Sequence, residues 1–281
     1  MHRERFDLID EPIPGYRVCN AVSVKNGRTM ASTEMVAEEV PVALVYNGIS
    51  HAVMLATPSC LEDFAVGFSL TEQIVFSQAE IFDIDTVVGS EGIEVHLTIA
   101  GDRTYALKEK RRSMAGRTGC GICGAENIAH AIRRPKPLSW SIDVPASSVH
   151  AGFMELSKRQ SLHQMTGAVH AAAFVTPSGN VQLVREDVGR HNALDKLIGA
   201  LAIKGIDAGA GMALVTSRAS YEMVQKTVSA GISLLAAISA PTALAVSLAV
   251  ESGLTLLGFT RGNQYVVYSH AERVRERDEI G

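Results

Sequence analysis

Two cysteines at C-x-x-C spacing, Cys120 and Cys123, lie in a glycine-rich segment of this 281-residue chain. Between Lys108 and Arg117, just before them, stand five Lys or Arg residues and only one Glu. Positive charge near a cysteine lowers the pKa of its thiol and favours the thiolate, which is both the nucleophile and the metal ligand. The glycines around the pair allow the backbone to bend. This segment is therefore the first candidate for chemistry.

The C-x-x-C spacing is compatible with four interpretations. A structural zinc site needs two further ligands, and the chain has neither a second C-x-x-C nor a closely spaced His pair, since His163 and His170 are separated by six residues. A thioredoxin-type redox pair follows a buried strand, whereas a charged run precedes Cys120. Buried cysteines that act as small hydrophobic residues are a third interpretation. The residues favour the fourth, a covalent carrier that accepts a group on one thiolate and passes it on.

Composition limits the class of protein. The chain is 47% hydrophobic and 20% charged, which is typical of a water-soluble globular protein. Its first residues lack the apolar core of a signal peptide, and no apolar run reaches the roughly 18–20 residues of a membrane span. Four cysteines are too few for a disulfide scaffold, so we expect reduced thiols and a cytoplasmic location. A net charge of −4 gives no support to nucleic-acid binding.

Local patterns predict a flexible arm over residues 1–35, followed by a smaller α+β domain over residues 36–136 that includes the C-x-x-C loop at 117–124. Asn47-Gly48 between two apolar runs predicts a β-hairpin with a type I′ turn. Ser59 and Glu62 form a capping box for a helix that reaches about Gln73. The remaining predicted elements are strands at 87–88 and 93–99 and a helix at 125–134.

A proline pair, Pro135 and Pro137, predicts the boundary before a second domain over residues 138–281. Apolar strands alternate with helices there, which predicts an α/β layered sheet. Ser220 is expected to cap a helix that runs towards Ile238, and Pro241 to lie in the first turn of the next helix. The other predicted elements are strands at 171–176, 181–184, 212–216 and 254–259, a helix at 189–202, and a helix end at Gly253.

Two segments of the second half are further candidate sites. If a helix already covers Asp187, then Asp187, His191 and Asp195 share one helix face, and a carboxylate-oriented His is a base or a ligand. The alternative is a capped helix start, with Asp187 serving the N-terminus and Lys196 pairing outward. The spacing leaves both interpretations open.

The second segment lies at the end of the last apolar strand. Ligands of open α/β sheets bind beyond the carboxyl ends of strands, and Arg261 beside Gly262 offers a guanidinium and a close backbone approach for a phosphate. The alternative is a simple hairpin turn, which the spacing alone favours because Gly and Asn are common in turns. The segment comprises Phe259, Thr260, Arg261, Gly262, Asn263 and Gln264.

Ordered motifs over nearly the whole chain after residue 35 resemble one family, the formate dehydrogenase accessory sulfurtransferases of the FdhD type. The matching stretches are EEVPVALVYNG (38–48), GRTGCGICG (116–124), TGAVHAA (166–172), EDVGRH (186–191), SRASYEMVQK (217–226), SAPT (239–242) and GLTLLGF (253–259). The resemblance implies a fold similar to cytidine deaminases in the second half. Deaminase chemistry is not expected, because Ala172 stands where the H-x-E motif after His170 requires Glu.

The resemblance also implies a function. Such proteins carry sulfur from a cysteine desulfurase to the molybdenum cofactor of formate dehydrogenase, where it becomes a terminal sulfido ligand. It implies that Cys120 carries the persulfide with Cys123 as its partner. It implies that residues 259–264 bind the bis(molybdopterin guanine dinucleotide) form of the cofactor through its guanine nucleotide, although this segment varies in the family. It further implies a homodimer without a permanently bound metal.

Two more residues are hypotheses from position alone: Arg218 and His191 stand near expected strand and helix ends, where phosphates bind. The main alternative function is a chaperone that binds the cofactor or the dehydrogenase without transferring sulfur. A zinc or redox protein that uses the C-x-x-C pair is the other alternative.

Overall fold

The computed structural model describes residues 15–105, 107, 135–140, 142–262 and 264–275. The predicted helix at 125–134, the C-x-x-C pair Cys120 and Cys123, and Asn263 lie outside the described residues, so the predictions made for them stay predictions.

The chain between residues 16 and 37 forms an antiparallel ribbon of strands β1 (Tyr16–Lys25) and β2 (Arg28–Ala37). Its turn is Asn26-Gly27, with φ angles of 51° and 76°, as in a type I′ turn. The backbone is therefore regular from Tyr16 onward, contrary to the irregular structure expected of an arm over residues 1–35, while the flexibility of that arm stays a prediction. Most side chains of the ribbon are exposed, which explains why its composition resembles that of a loose arm.

A four-stranded sheet follows, built from β3 (Val40–Tyr46), β4 (Ile49–Ala56), β5 (Ile81–Val88) and β6 (Ile93–Ile99) in the order β4-β3-β6-β5. The predicted hairpin is confirmed, because β3 pairs antiparallel with β4 and both Asn47 and Gly48 have positive φ. The predicted strands at 87–88 and 93–99 are confirmed as parts of β5 and β6.

Helix α1 (Leu61–Thr71) covers this sheet, and Leu61, Phe64 and Phe68 are buried in the core between them. The capping box is wrong: the N-cap is Cys60, not Ser59, and no side chain caps the helix. Cys60 adopts a left-handed conformation with φ of 52°. The chain therefore turns one residue later than the Ser59–Glu62 spacing requires.

The second half contains a six-stranded sheet in the order β13-β12-β11-β10-β8-β9. A short parallel pair, β7 (Val144–Pro145) and β14 (Val274–Arg275), lies apart from it. The strands of the large sheet are β8 (His170–Val175), β9 (Val181–Asp187), β10 (Met212–Val215), β11 (Leu234–Ala237), β12 (Thr255–Arg261) and β13 (Gln264–Ser269).

Helices cover both faces of this sheet. They are α2 (Ala146–Arg159), α3 (Ser161–Thr166), α4 (Arg190–Ile203), α5 (Tyr221–Ser229) and α6 (Ala243–Ser252). Alternate strand residues enter different cores: Ala172 and Phe174 pack with α4, α5 and α6, whereas Ala171 and Ala173 pack with α2. This period of two is that of a buried strand. The predicted mixed α/β class is confirmed, while the cytidine-deaminase likeness and the domain boundaries stay predictions.

Two boundaries in the second half differ from the sequence prediction. The helix that begins after Ser220 ends at Ser229, and residues 234–237 form strand β11. Gly231, with φ of 83°, lies between them, and the run that follows is apolar enough for either element. Pro241 precedes the N-cap Thr242 rather than lying in the first turn of α6, whereas Gly253 ends that helix as predicted. None of the described helices is long and apolar enough to cross a membrane.

Candidate functional site

Strands β10, β11 and β12 run parallel to one another, so their carboxyl ends meet at one edge of the large sheet. Two loops leave this edge, residues 216–220 after β10 and residues 238–242 after β11. They are joined by a parallel bridge between Ala219 and Pro241 and by a hydrogen bond from Thr242 N to Ala219 O at 3.0 Å. Such an edge is where open α/β sheets bind ligands.

The end of β12 fits closely against the second loop. Phe259 N donates to Ser239 O at 3.2 Å, and a Cβ at Gly258 would lie 2.9 Å from Pro241 Cδ. Only glycine fits that approach. The ladder between β12 and β13 is irregular between Gly258 and Arg261, and Phe259 has φ of 52°. The distortion leaves the Phe259 side chain 45% exposed at the edge.

Most of the predicted cofactor segment forms the end of a hairpin. Arg261 pairs with Gln264 across the turn, and Gly262 has φ of 54°. Arg261 is exposed, with Nε 3.4 Å from Ile238 O. Thr260 is buried, and its hydroxyl has no hydrogen-bond partner among the described residues. The segment therefore has the geometry of a turn, and a turn placed at the carboxyl edge of the sheet is also accessible to a ligand.

The three residues predicted to share a helix face are separated. Asp187 ends β9, and α4 begins only at Arg190. Asp187 forms a buried ion pair with Lys196, so the outward pairing expected for Lys196 is also wrong. Asp187 does accept a hydrogen bond from Gly189 N at 2.7 Å, close to the helix start. Asp195 binds Lys226 at 2.9 Å in the protein interior.

His191 faces a different partner at the edge. Its Nε2 lies 2.7 Å from Glu222 Oε2 and 3.4 Å from Ser220 Oγ, both near the start of α5. This hydrogen bond to His191 is the main cause that lowers the pKa of Glu222. Arg218, the other positional hypothesis, is exposed on the loop after β10. Both residues thus lie at the carboxyl edge.

A cavity of about 390 Å³ opens beside the same edge, at the start of β8. His163 and His170 line it together with Thr216 and Ile238. Thr216 is fixed to β8, because Ala171 N donates to Thr216 Oγ1 at 2.9 Å. His163 lies on α3, and its Nδ1 is 3.1 Å from Val169 O. The sequence interpretation considered these two histidines only as zinc ligands.

His170 is half-buried at this cavity, and burial is the main cause that lowers its pKa. The nearby charges of Arg190, His163 and His191 lower it further, while Asp187 opposes them. His170 therefore favours the neutral imidazole. Sequence reasoning missed Arg190 and Thr216 at this edge. The available signal was that Arg190 follows Gly189, two residues after the end of strand β9.

Comparison with known proteins identifies the family. The sequence matches the FdhD/NarQ family over residues 37–275. The chain belongs to the FdhD/NarQ family. A relative from Cupriavidus necator, named sulfur carrier protein FdhD, is 55% identical over 256 residues, covering 91% of this chain and 89% of the relative. One of the same name from Bordetella bronchiseptica is 52% identical over 263 residues, covering 93% and 95%.

A solved structure agrees with the fold of this FdhD/NarQ chain. A formate dehydrogenase accessory protein from Desulfotalea psychrophila aligns with a TM-score of 0.75 at 23% identity, covering 93% of this chain and all of that protein. At this identity the comparison shows the fold alone. The residues matched to the family, 37–275, include the four-stranded sheet, the six-stranded sheet and the carboxyl edge.

Proposed function

We propose that this protein carries sulfur for a formate dehydrogenase. It accepts sulfur from a cysteine desulfurase and passes it to the molybdenum of the bis(molybdopterin guanine dinucleotide) cofactor before that cofactor enters the dehydrogenase. The observation that carries the proposal is the 55% identity, over 91% of the chain, with a relative named sulfur carrier protein. The C-x-x-C pair in this sequence supplies the thiols that the chemistry needs.

The first step is a transfer between two cysteines. The Cys120 thiolate attacks the outer sulfur of the desulfurase persulfide, the sulfur–sulfur bond to the desulfurase breaks, and the desulfurase cysteine leaves as a thiolate. No oxidant or reductant is consumed. The basic residues before Cys120 favour the thiolate and then the anionic persulfide.

In the second step the Cys123 thiolate attacks the sulfur of Cys120, the Cys120–Cys123 disulfide forms, and the outer sulfur leaves as hydrosulfide for the metal. The dithiol thus supplies the two electrons that turn sulfane sulfur into sulfide, and a thiol reductant regenerates it.

The molybdenum cofactor is the cargo that receives the sulfur. We assign its guanine nucleotide to the carboxyl edge, at Phe259, Thr260, Arg261, Gly262, Asn263 and Gln264. Arg261 is exposed at the hairpin and Arg218 is exposed on the adjacent loop, and guanidinium groups bind phosphate oxygens in pairs. The protein then acts by proximity, because it places the persulfide sulfur and the metal in one complex.

Two further properties complete the proposal. The protein works in the cytoplasm, where cofactor assembly supplies the cofactor and a cysteine desulfurase supplies the sulfur. It acts as a homodimer, which contacts first the desulfurase and then the dehydrogenase. Equilibrium sedimentation of the purified chain measures the oligomeric state directly, and a monomer at micromolar concentration would contradict the dimer.

Persulfide loading tests the central step. The purified chain is incubated with a cysteine desulfurase and cysteine, and its intact mass is measured before and after reduction. We expect a reductant-labile gain of at least one sulfur atom on the peptide that holds Cys120 and Cys123. The Cys120→Ala variant should lose the gain, with Cys60→Ala as the matched control. No gain on the wild-type peptide, with an active desulfurase, would refute the carrier chemistry.

Activation in cells separates a carrier from a chaperone. In cells that lack their own carrier, the wild-type chain should restore formate dehydrogenase activity and Cys120→Ala should not. A protein that only binds the cofactor would tolerate the change, because its contacts lie at the carboxyl edge rather than at the thiol. Full activity of Cys120→Ala would therefore favour the chaperone.

A further inference from the structure

The four-stranded sheet has a face on the side away from α1 that carries exposed apolar side chains. Strand pairing places Val53 beside Ala43 and Ala43 beside Glu94. None of these three residues belongs to the core between the sheet and α1. Val53 is 62% exposed, and Leu55, two residues further along β4, is 55% exposed. The solvent-facing side of a half-buried sheet is ordinarily polar, so adjacent exposed apolar side chains here indicate contact with a partner.

The other half of this face is acidic. Asp83 and Asp85 of β5 lie on the same side of the sheet as Glu94, because Asp85 pairs with His96, two residues after Glu94. All three acids are exposed. Glu94 contacts His96 at 2.8 Å, whereas Asp83 and Asp85 form no ion pair within the described part of the chain. We call this surface the outer face; it comprises Ala43, Val53, Leu55, Asp83, Asp85 and Glu94.

The four-stranded sheet belongs to a stretch without basic residues. Between Arg28 and Arg103 the sequence has twelve Asp or Glu residues and no Lys or Arg. Bases from outside the stretch compensate some of these acids, since Glu80 pairs with Arg103 at 2.8 Å and Asp63 with Arg185 at 2.6 Å. Among the described residues, no Lys or Arg pairs with the acids of the outer face. The outer face therefore has a negative potential that attracts a basic surface.

The outer face points away from the large sheet. Helix α1 packs on the opposite side of the four-stranded sheet and meets α4 where Gly67 approaches Gly199, and α4 packs on the large sheet. A partner on the outer face therefore leaves the carboxyl edge free for the cargo. Leu107 is buried in the core of the four-stranded sheet. Cys120 follows thirteen residues later, a chain length of at most about 45 Å, so a sulfur donor bound to this sheet lies within reach of the thiol.

We propose that the outer face is the docking surface for the cysteine desulfurase, through a basic surface of that enzyme with an apolar centre. Apolar side chains of the desulfurase pack against Val53 and Leu55, and its Lys or Arg residues pair with Asp83, Asp85 and Glu94. The inference rests on the proposed function, because it assigns a surface to the sulfur donor named there. Opposite charges also accelerate the encounter of the two proteins.

A substitution in the apolar half tests the contact. Binding of the whole purified chain to the desulfurase used for persulfide loading is measured by calorimetric titration. We expect Val53→Asp to weaken binding by at least about tenfold, because it places an unpaired charge in the centre of the contact. Val18→Asp, at a valine that is 63% exposed on the β1–β2 ribbon, is the matched control and should bind like the wild type. Circular dichroism checks the fold, and Leu55→Asp replaces Val53→Asp if that variant does not fold.

Charge reversal tests the acidic half. Asp85→Lys should weaken binding of the desulfurase by about tenfold at low ionic strength and by less at high ionic strength, because salt screens exposed charges. Glu34→Lys, at an exposed acid on the β1–β2 ribbon, is the matched control and should bind like the wild type. The affinity of the wild type should fall as salt is added, and that of Asp85→Lys should fall less steeply.

Four outcomes would overturn the docking surface. The first is a wild-type chain that does not bind the desulfurase, and the second is binding by Val53→Asp and Asp85→Lys that equals that of the wild type. In the third, the two variants bind the desulfurase normally but fail to activate the dehydrogenase in cells, which would assign the outer face to the dehydrogenase. In the fourth, they change only the sedimentation of the chain, which would assign the outer face to a second copy.

Persulfide loading of Cys120 separates this inference from the proposed function. Loading of the wild type, with no effect of Val53→Asp or Asp85→Lys on desulfurase binding, would overturn the docking surface and leave the carrier intact. Binding that depends on Val53 and Asp85, without loading of Cys120, would support the docking surface and refute the carrier chemistry.

Discussion

Lys196 Nζ lies 2.6 Å from Asp187 Oδ2, and both side chains are completely buried. Lys196 also donates to Thr57 O at 2.9 Å, while Asp187 accepts from Thr57 N at 3.0 Å. The two charges therefore bind the segment before α1 to the end of β9 and to α4. This pair connects the part of the chain that contains the small sheet to the part that forms the carboxyl edge.

Replacing Lys196 by Met should destabilise the protein by about 3–5 kcal/mol. The change leaves Asp187 as a buried charge without its ion-pair partner, and uncompensated buried charges are costly. Urea unfolding followed by circular dichroism measures the free energy of unfolding. Lys204→Met, at an exposed lysine just after α4, is the control and should change it by less than about 0.5 kcal/mol. Similar small effects of both variants would contradict the role of the pair.

The fold was predictable where one local signal dominates. Asn47-Gly48 determines its hairpin because few other sequences adopt two successive positive φ angles. Asn26-Gly27 carries the same signal, but the strands around it pack against little of the protein, so their alternation was not recognised. The prediction of one helix from Ser220 towards Ile238 was wrong for another reason. The largely apolar run after Gly231 is compatible with a buried helix or a buried strand, and only tertiary packing decides between them.

The candidate site was predictable only where one segment contributes several of its residues. The hairpin at Arg261 follows a long apolar strand, so a position at the carboxyl edge was foreseeable. The grouping of His170 with Arg190 depends on the pairing of β8 with β9, which no local pattern encodes. The ion pair of Asp187 with Lys196 was missed because the helix begins at Arg190, three residues after the aspartate. Sequence spacing does not locate such contacts.

Helices α1 and α4 cross where Gly67 of α1 meets Gly199 of α4. We expect Gly67→Ala to destabilise the protein by about 3 kcal/mol. A Cβ at Gly67 would lie 1.8 Å from Asp195 O, so the helices would have to separate. Thermal and urea unfolding measure the loss. Gly101→Ala is the control, since a Cβ there meets no atom within 4 Å. Equal stability of the two variants would show that the helices do not cross as closely as described.

Arg261→Met should reduce activation of formate dehydrogenase in cells by roughly tenfold while leaving persulfide loading of Cys120 unchanged. The guanidinium at the hairpin is assigned to the cargo, and losing a charged hydrogen bond has about this effect. Two measurements are compared: dehydrogenase activity in complemented cells, and the mass gain of the purified variant with a desulfurase. Arg28→Met, at an exposed position beside the turn of the β1–β2 ribbon, is the control. A parallel loss of loading and activation would indicate a general defect, and unchanged activation would remove Arg261 from the site.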